Sequence, residues 1–319
     1  MSKFDDKSKA SCPPKWPKEA SSNDQLGAQQ LRNEPSFHTK SSLVLPSLPI
    51  KSTFWLGSLW RSLPSSFRMI AYRCLLYIGE KLKHPNSFGR GRVRRLPFNM
   101  YCKFGGLINK DEVLATMFVQ ANTTIPVPTI LDVIGESDEE LFVLMSRVPG
   151  DPVHGALNRM DAPSLALFES DLRDWLFQLR SLVPLPSTVV GGFLGTPSMQ
   201  FRIAAWCPIG PYSTKEDLHE DLLRRTEDRS AVESVVKKSH GKPHMLCFTH
   251  GDLMQNGRLS GLVDWGSSGW FPEYWDYTGA CYANKKYYPR WIEVFSRIFP
   301  QYRDELEVDS ALWMQINPY

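Results

Sequence analysis

The sequence lacks the signals that mark several large classes. Its six cysteines, at positions 12, 74, 102, 207, 247 and 281, form no C-x-x-C pair. That argues against a thiolate metal site or a disulfide framework and fits reduced thiols. No apolar run reaches the roughly 18 residues of a membrane span. Charge is nearly balanced: 37 Lys and Arg against 34 Asp and Glu leave +3. So small an excess does not argue for nucleic acid or an anionic surface as partner. There is no Gly-x-Ser-x-Gly elbow for a serine hydrolase, and no repeat or heptad. The first residues, Met-Ser-Lys-Phe-Asp-Asp-Lys, are no signal peptide and too acidic for a transit peptide, so a cytoplasmic location is expected.

What the chain does have is enough apolar residues for a real core: 42% of 319 residues are hydrophobic. That length suits one two-lobed domain or two domains. Residues 1–52 are rich in Ser, Pro, Lys, Asn and Gln and read as a disordered extension. Residues 53–84 read as an N-terminal helical segment. Its helix, Phe67 to Leu82, is apolar on most sides and reads as docked on a core, with a membrane-surface or partner contact as the alternative. From Val93 to Gly105 the period becomes two, with alternation at Leu96, Phe98 and Met100, as in a strand. Just before it, the glycines of Phe88-Gly-Arg-Gly91 would let backbone amides approach phosphate. A helix is expected from Asp111 to Ala121, ended by Thr124-Ile-Pro-Val-Pro128. Ile130–Ile134 and Leu141–Met145 read as a hairpin. Beyond them lie an amphipathic helix (Ser164–Val183), a Gly/Pro-rich loop (187–212), one or two helices in Leu218–Lys238, and helical pattern again from Tyr274 to Met314.

One stretch carries the chemistry: Phe248-Thr-His-Gly-Asp-Leu-Met-Gln-Asn-Gly-Arg-Leu-Ser-Gly-Leu-Val-Asp-Trp265. It holds two acids, Asp252 and Asp264, and an amide, Asn256. Such a set suits Mg²⁺-assisted phosphoryl transfer, in which one acid orients the attacking hydroxyl and the other ligands hold the metal. Taken singly, His-Gly-Asp is also ordinary turn chemistry, and Asp264 a plausible cap for the next segment. Lys103, late in its strand, reads either as an outward solvated lysine or as an inward one that needs an anion. Glu112 reads either as a helix starter or as that anion.

His250-Gly-Asp-Leu, Gly261-Leu-Val-Asp-Trp and Gly269-Trp-Phe-Pro-Glu-Tyr-Trp-Asp276 resemble the aminoglycoside phosphotransferase family, kin of the protein kinases, and in particular its large fungal branch. The resemblance spans about residues 85–310. It implies an α+β, protein-kinase-like two-lobed fold, with a small β-rich N-lobe (85–146) and a larger helical C-lobe (147–319). It implies ATP and Mg²⁺, and a small-molecule hydroxyl as acceptor. Lys103 would hold the nucleotide phosphates and Glu112 would orient it. Met145 and Arg147 would lie in the hinge that meets the adenine. Asp252 would be the catalytic acid, and Asn256 and Asp264 the metal ligands. The sequence shows no acidic pocket for a polycationic substrate.

The chain departs from the family pattern between its two acids. The family places the Asn five residues after the catalytic Asp and then runs two strands before the metal Asp. Here Asn256 follows Asp252 by four residues and leads straight into Gly257. The expectation is a lost first strand, unpaired edges and impaired metal binding. Three outcomes follow: a working kinase with a rerouted loop, a pseudokinase or binding module, or a gene model lacking a short coding piece. Gly266 also replaces the Glu common in the family.

Overall fold

The computed structural model of the protein describes residues 55–81, 93–105, 108–135, 141–150, 153–184, 188–204, 207–253, 257–258, 260–282 and 289–316. Expectations for the extension 1–52 and for the Gly89/Gly91 turn lie outside these residues.

Four antiparallel strands form the first sheet: β1 (Val93–Leu96), β2 (Met100–Phe104), β3 (Ile130–Ile134) and β4 (Phe142–Ser146), in the order β1-β2-β4-β3. The run that reads as one strand from Val93 is two. Pro97, with fixed φ and no N–H, precedes Phe98 and Asn99 at φ 64° and 55°. These two left-handed residues turn the chain so that Leu96 pairs with Met100.

Two helices sandwich this sheet. On one face lies α2 (Ser65–Lys81), preceded by α1 (Trp55–Ser62). Tyr72 of α2 packs with Leu96, Cys102, Phe142 and Leu144. Arg68 and Tyr72 also donate to the buried carboxylate of Asp132 on β3, the Tyr72 hydroxyl at 2.7 Å. Among the described residues, only this inner face is docked. The outer face leaves Phe67, Ile70, Tyr77 and Ile78 exposed. On the other face lies α3 (Lys110–Asn122). It starts where Asn109 caps the Glu112 amide at 2.8 Å, and its Val113 packs with Ile130, Leu141 and Val143.

Strand alternation on β2 sorts its side chains between these helices. Cys102 is fully buried on the α2 side. Lys103 turns to the α3 side, opposite Val143 of β4.

The rest forms the helical lobe: α4 (Val153–Ala156), α5 (Ala162–Arg180), α6 (Lys215–Arg224), α7 (Arg229–Val236), α8 (Trp275–Cys281), α9 (Pro289–Ile298) and α10 (Arg303–Trp313). Asp161 caps α5 through the Ser164 amide, and Phe168, Leu172, Leu176 and Leu179 make its buried stripe. A reciprocal Thr214–Asp217 capping box starts α6. These helices pack around a three-stranded antiparallel sheet of β5 (Gly191–Gly192), β9 (Gly269–Pro272) and β6 (Leu246–Thr249), in that order. The architecture is a β-rich lobe followed by a helical lobe, the protein-kinase-like arrangement.

Between β6 and β9 the structure corrects the reading of the shortened loop. Two strands are present: β7 (Gly257–Arg258) pairs with β8 (Gly261–Leu262), register Gly257 to Leu262. The second strand is expected over 259–263, and β8 falls inside it; β7, the strand expected to be lost, forms from Gly257 and Arg258 just before. Its outer edge is paired too, because the Leu262 amide donates to the Pro126 carbonyl at 2.9 Å. The Ile-Pro-Val-Pro connector thus supplies the neighbour that a longer hairpin would bring. Position 261 must be glycine for this approach, since a Cβ there would run into the Pro126 carbonyl and Val148.

Candidate active site

Lys103, Glu112 and Asp264 meet at the seam of the two lobes. The Lys103 ammonium donates to Glu112 Oε1 at 2.7 Å and Oε2 at 2.9 Å, and to Asp264 Oδ1 at 2.7 Å. Lys103 and Glu112 are buried, while the Asp264 side chain keeps 40% of its exposure. Burial alone would lower the Lys103 pKa; the two carboxylates outweigh it and hold the ammonium above its ordinary range. Burial pushes the Glu112 carboxyl up, to about 7, against the pull of Lys103 and with the help of Asp264. One ammonium between two carboxylates leaves net negative charge at the mouth, a place suited to a further cation.

Asp264 is held in an unusual backbone conformation, φ 66° and ψ 74°, just ahead of a 3₁₀ turn at Trp265–Ser267. A left-handed aspartate costs backbone energy and persists only where its surroundings impose it. Here β8 fixes the chain before it, and the fully packed Trp265 fixes the chain after it.

Asp252 follows β6 through His250 and Gly251. The His250 ring is completely buried and uses both nitrogens. Nε2 donates to the Val263 carbonyl at 3.0 Å, and Nδ1 accepts the Asp252 amide at 3.3 Å. Burial pulls its pKa down, against Asp276 and Asp264. The ring is therefore a neutral brace that ties the backbone of Asp252 to the residue before Asp264. Gly251 sits at φ 81°, and a Cβ there would meet the Ser267 carbonyl.

The brace has its own support, which the sequence does not announce. Asp276 of α8, buried, accepts the His250 amide at 3.1 Å and the Gly251 amide at 2.8 Å. Its position in the Trp275-Asp276 pair was visible; its partners lie more than 20 residues away and needed the fold. Asp276→Asn sets an NH₂ against one of these amides. The expected result is a loss of roughly 2 kcal/mol in stability from the unsatisfied donors, read as a lower urea midpoint. An unchanged midpoint would show that the turn holds itself.

The remaining predicted residues are placed less uniformly. Asn256 lies outside the described residues. Met145 sits in β4, flanked by Tyr101 and Ile130. The Arg147 amide donates to the Asn99 carbonyl at 2.8 Å, so the β1–β2 turn takes the donor. Ser146, where the family commonly has an acid, accepts the Thr129 amide through Oγ at 2.8 Å. Gly266 leaves room beside the cluster: a Cβ there would lie 3.3 Å from Glu112 Oε2.

The family model described as "Phosphotransferase enzyme family" matches residues 110–307, more than half of the chain. The chain belongs to this family. Glu112, Asp252, Asp264 and Asp276 fall inside the matched span, and Lys103 just ahead of it. No curated protein matches the sequence. Similar solved structures include the GDP complex of wild-type aminoglycoside 2′-phosphotransferase-IIIa, at 15% identity, covering 76% of this chain and 85% of that one, TM-score 0.44. The streptomycin–ATP complex of APH(2″)-IIa stands at 14% identity, with 73% and 85% covered and TM-score 0.45. A thermostable APH(4)-Ia with AMP-PNP and hygromycin B stands at 12%, with 71% and 82% covered and TM-score 0.47.

Proposed function

We propose that this phosphotransferase moves the γ-phosphoryl group of ATP to a hydroxyl of a small molecule, with Mg²⁺ bound at Asp264. The observation that carries this reading is the Lys103–Glu112–Asp264 cluster joined to Asp252 by one histidine ring. The donor chemistry fits the ion. Lys103 takes Oδ1 of Asp264, which leaves Oδ2, a hard oxygen on a partly exposed side chain, for a cation. Asn256 would add a second oxygen ligand. Bound Mg²⁺ would neutralise charge on the phosphates.

The chain's own residues do the rest. Lys103, steadied from below by Glu112, presents its ammonium to the nucleotide phosphates. The end of β4 and the residue after it, Met145 to Arg147, would meet the base through groups other than the Arg147 amide. Asp252 accepts the proton of the acceptor hydroxyl as the new O–P bond forms and the bond to the leaving ADP oxygen breaks. His250 cannot be that base, because both nitrogens are engaged. The β7–β8 pairing supports the working kinase over a binding module without turnover, since the hairpin strands are paired to each other.

Calorimetric titration with ATP, with and without Mg²⁺, tests the reading. The expected result is binding that tightens about tenfold or more with Mg²⁺ and loses that gain in Asp264→Asn. ATP binding indifferent to Mg²⁺ would remove the metal role of Asp264, and no binding at all would remove the function.

A further inference from the structure

The first turn of α3 carries two acids, and they face different ways. Glu112 meets Lys103. Asp111, about 100° round the helix, meets the helical lobe. Its Oδ1 accepts the Leu194 amide at 2.8 Å, and its Oδ2 accepts the Thr196 hydroxyl at 2.8 Å. Both donors belong to one tight turn, closed by Gly192 N–H to the Thr196 carbonyl at 2.8 Å and Gly195 N–H to the Gly192 carbonyl at 2.9 Å. The turn is rooted in β5, whose Gly191 and Gly192 pair with Trp270 and Gly269 of β9, shortly after Asp264. Gly192 keeps the space open: a Cβ there would meet Asp111 Oδ2 and Thr196 Oγ1.

We propose that Asp111 is a positioning residue that acts through Glu112. By binding the 192–196 turn with both oxygens, it ties the start of α3 to the helical lobe and holds Glu112 against Lys103. The Asn109 cap steadies the helix end through a single bond within the same helix, to the Glu112 amide. A two-point contact off the axis resists both rotation and withdrawal, and ionised acceptors make such contacts strong. The tie closes a ring of contacts: Lys103 to Asp264, through β9 and β5 to the 192–196 turn, then to Asp111 and back through Glu112. The same turn leads into residues 197–204, so whatever settles that segment bears on the lysine as well. The inference rests on the nucleotide reading of Lys103 given above.

Two readouts on the full chain separate the tie from that reading. The first needs no nucleotide: hydrogen–deuterium exchange of the α3 amides from Val113 to Phe118. Thr196→Val, which removes a donor without touching α3, and Asp111→Ala are each expected to speed this exchange about tenfold. Thr196→Ser, which keeps the hydroxyl, is expected to match wild type. The second is Mg–ATP affinity. Both disruptive variants are expected to weaken it about fivefold, and neither to weaken it further in a Glu112→Gln background. Unchanged exchange in both variants overturns the tie. An equal loss of affinity with and without Glu112 overturns action through Glu112. Faster exchange in the two variants, together with a wild-type chain that binds no ATP, sustains the hold on α3 and overturns the nucleotide reading instead.

Discussion

Asp252→Ala is expected to slow phosphoryl transfer by about a thousandfold, within the ~10²–10⁴ range of a positioned acid–base group, while ATP affinity stays within about twofold. The asymmetry follows from where Asp252 sits. Its backbone is fixed from both sides, by the His250 ring and by the Asp276 carboxylate behind that turn. Alanine leaves these backbone contacts in place and removes only the carboxylate. His250 cannot substitute, since it is buried, neutral and fully bonded. Lys103, Glu112 and Asp264 are untouched, so the proposed nucleotide site is kept. ADP release from Mg–ATP, with water and then a panel of hydroxyl compounds as acceptor, measures the effect. A loss of threefold or less would mean that Asp252 only shapes the turn and that the proton goes elsewhere.

Lys103→Met is expected to act twice. It removes the ammonium proposed to meet the nucleotide phosphates, and ATP affinity should fall by at least about tenfold, the loss of one charge-assisted contact. It also leaves Glu112 buried with no cation, a kind of change that costs roughly 3–5 kcal/mol. The second effect depends on pH, and its sign can be worked out. The folded state already binds the Glu112 proton more tightly than the unfolded chain, with a pKa of about 7 against an ordinary 4.5. Without Lys103 the folded value rises further. A carboxyl raised by folding lowers stability as pH climbs from its unfolded to its folded pKa. The deficit of the variant against wild type should therefore be large at pH 8 and shrink at pH 5.5, where Glu112 is protonated in both. Urea unfolding at the two pH values decides it; a deficit that does not change with pH would show that Glu112 finds another partner for its charge.

The parts of this molecule that were legible in its sequence are those written locally. Alternation marked β2, the Pro-Val-Pro run marked the connector, and His250-Gly-Asp marked the turn below Asp252. Three things were not, and each depends on a partner distant in the chain or on backbone the pattern does not show. Phe98 continued a two-residue period, yet Pro97 and two left-handed residues made a turn of it. The stretch after Asn256 looked too short for a hairpin because its edge partner, Pro126, lies far upstream. Asp276 closed a motif that carried the resemblance but no role; only the fold showed that it accepts the amides of the turn that presents Asp252. Glu112 stood between, since a first-turn acid serves a helix anywhere, and its role depends on which way β2 turns Lys103.

The two-sidedness of β2 has an evolutionary consequence. The strand is a partition one residue thick, with an oily room behind Cys102 and a charged one in front of Lys103. Substitutions along it can be judged one at a time. An insertion or deletion cannot, because a slip of one residue exchanges the two faces at once, sending the ammonium into the α2 side and the thiol toward Glu112. Lineages of this chain should exchange letters of like kind between Pro97 and Lys103 while the count of those letters stays frozen.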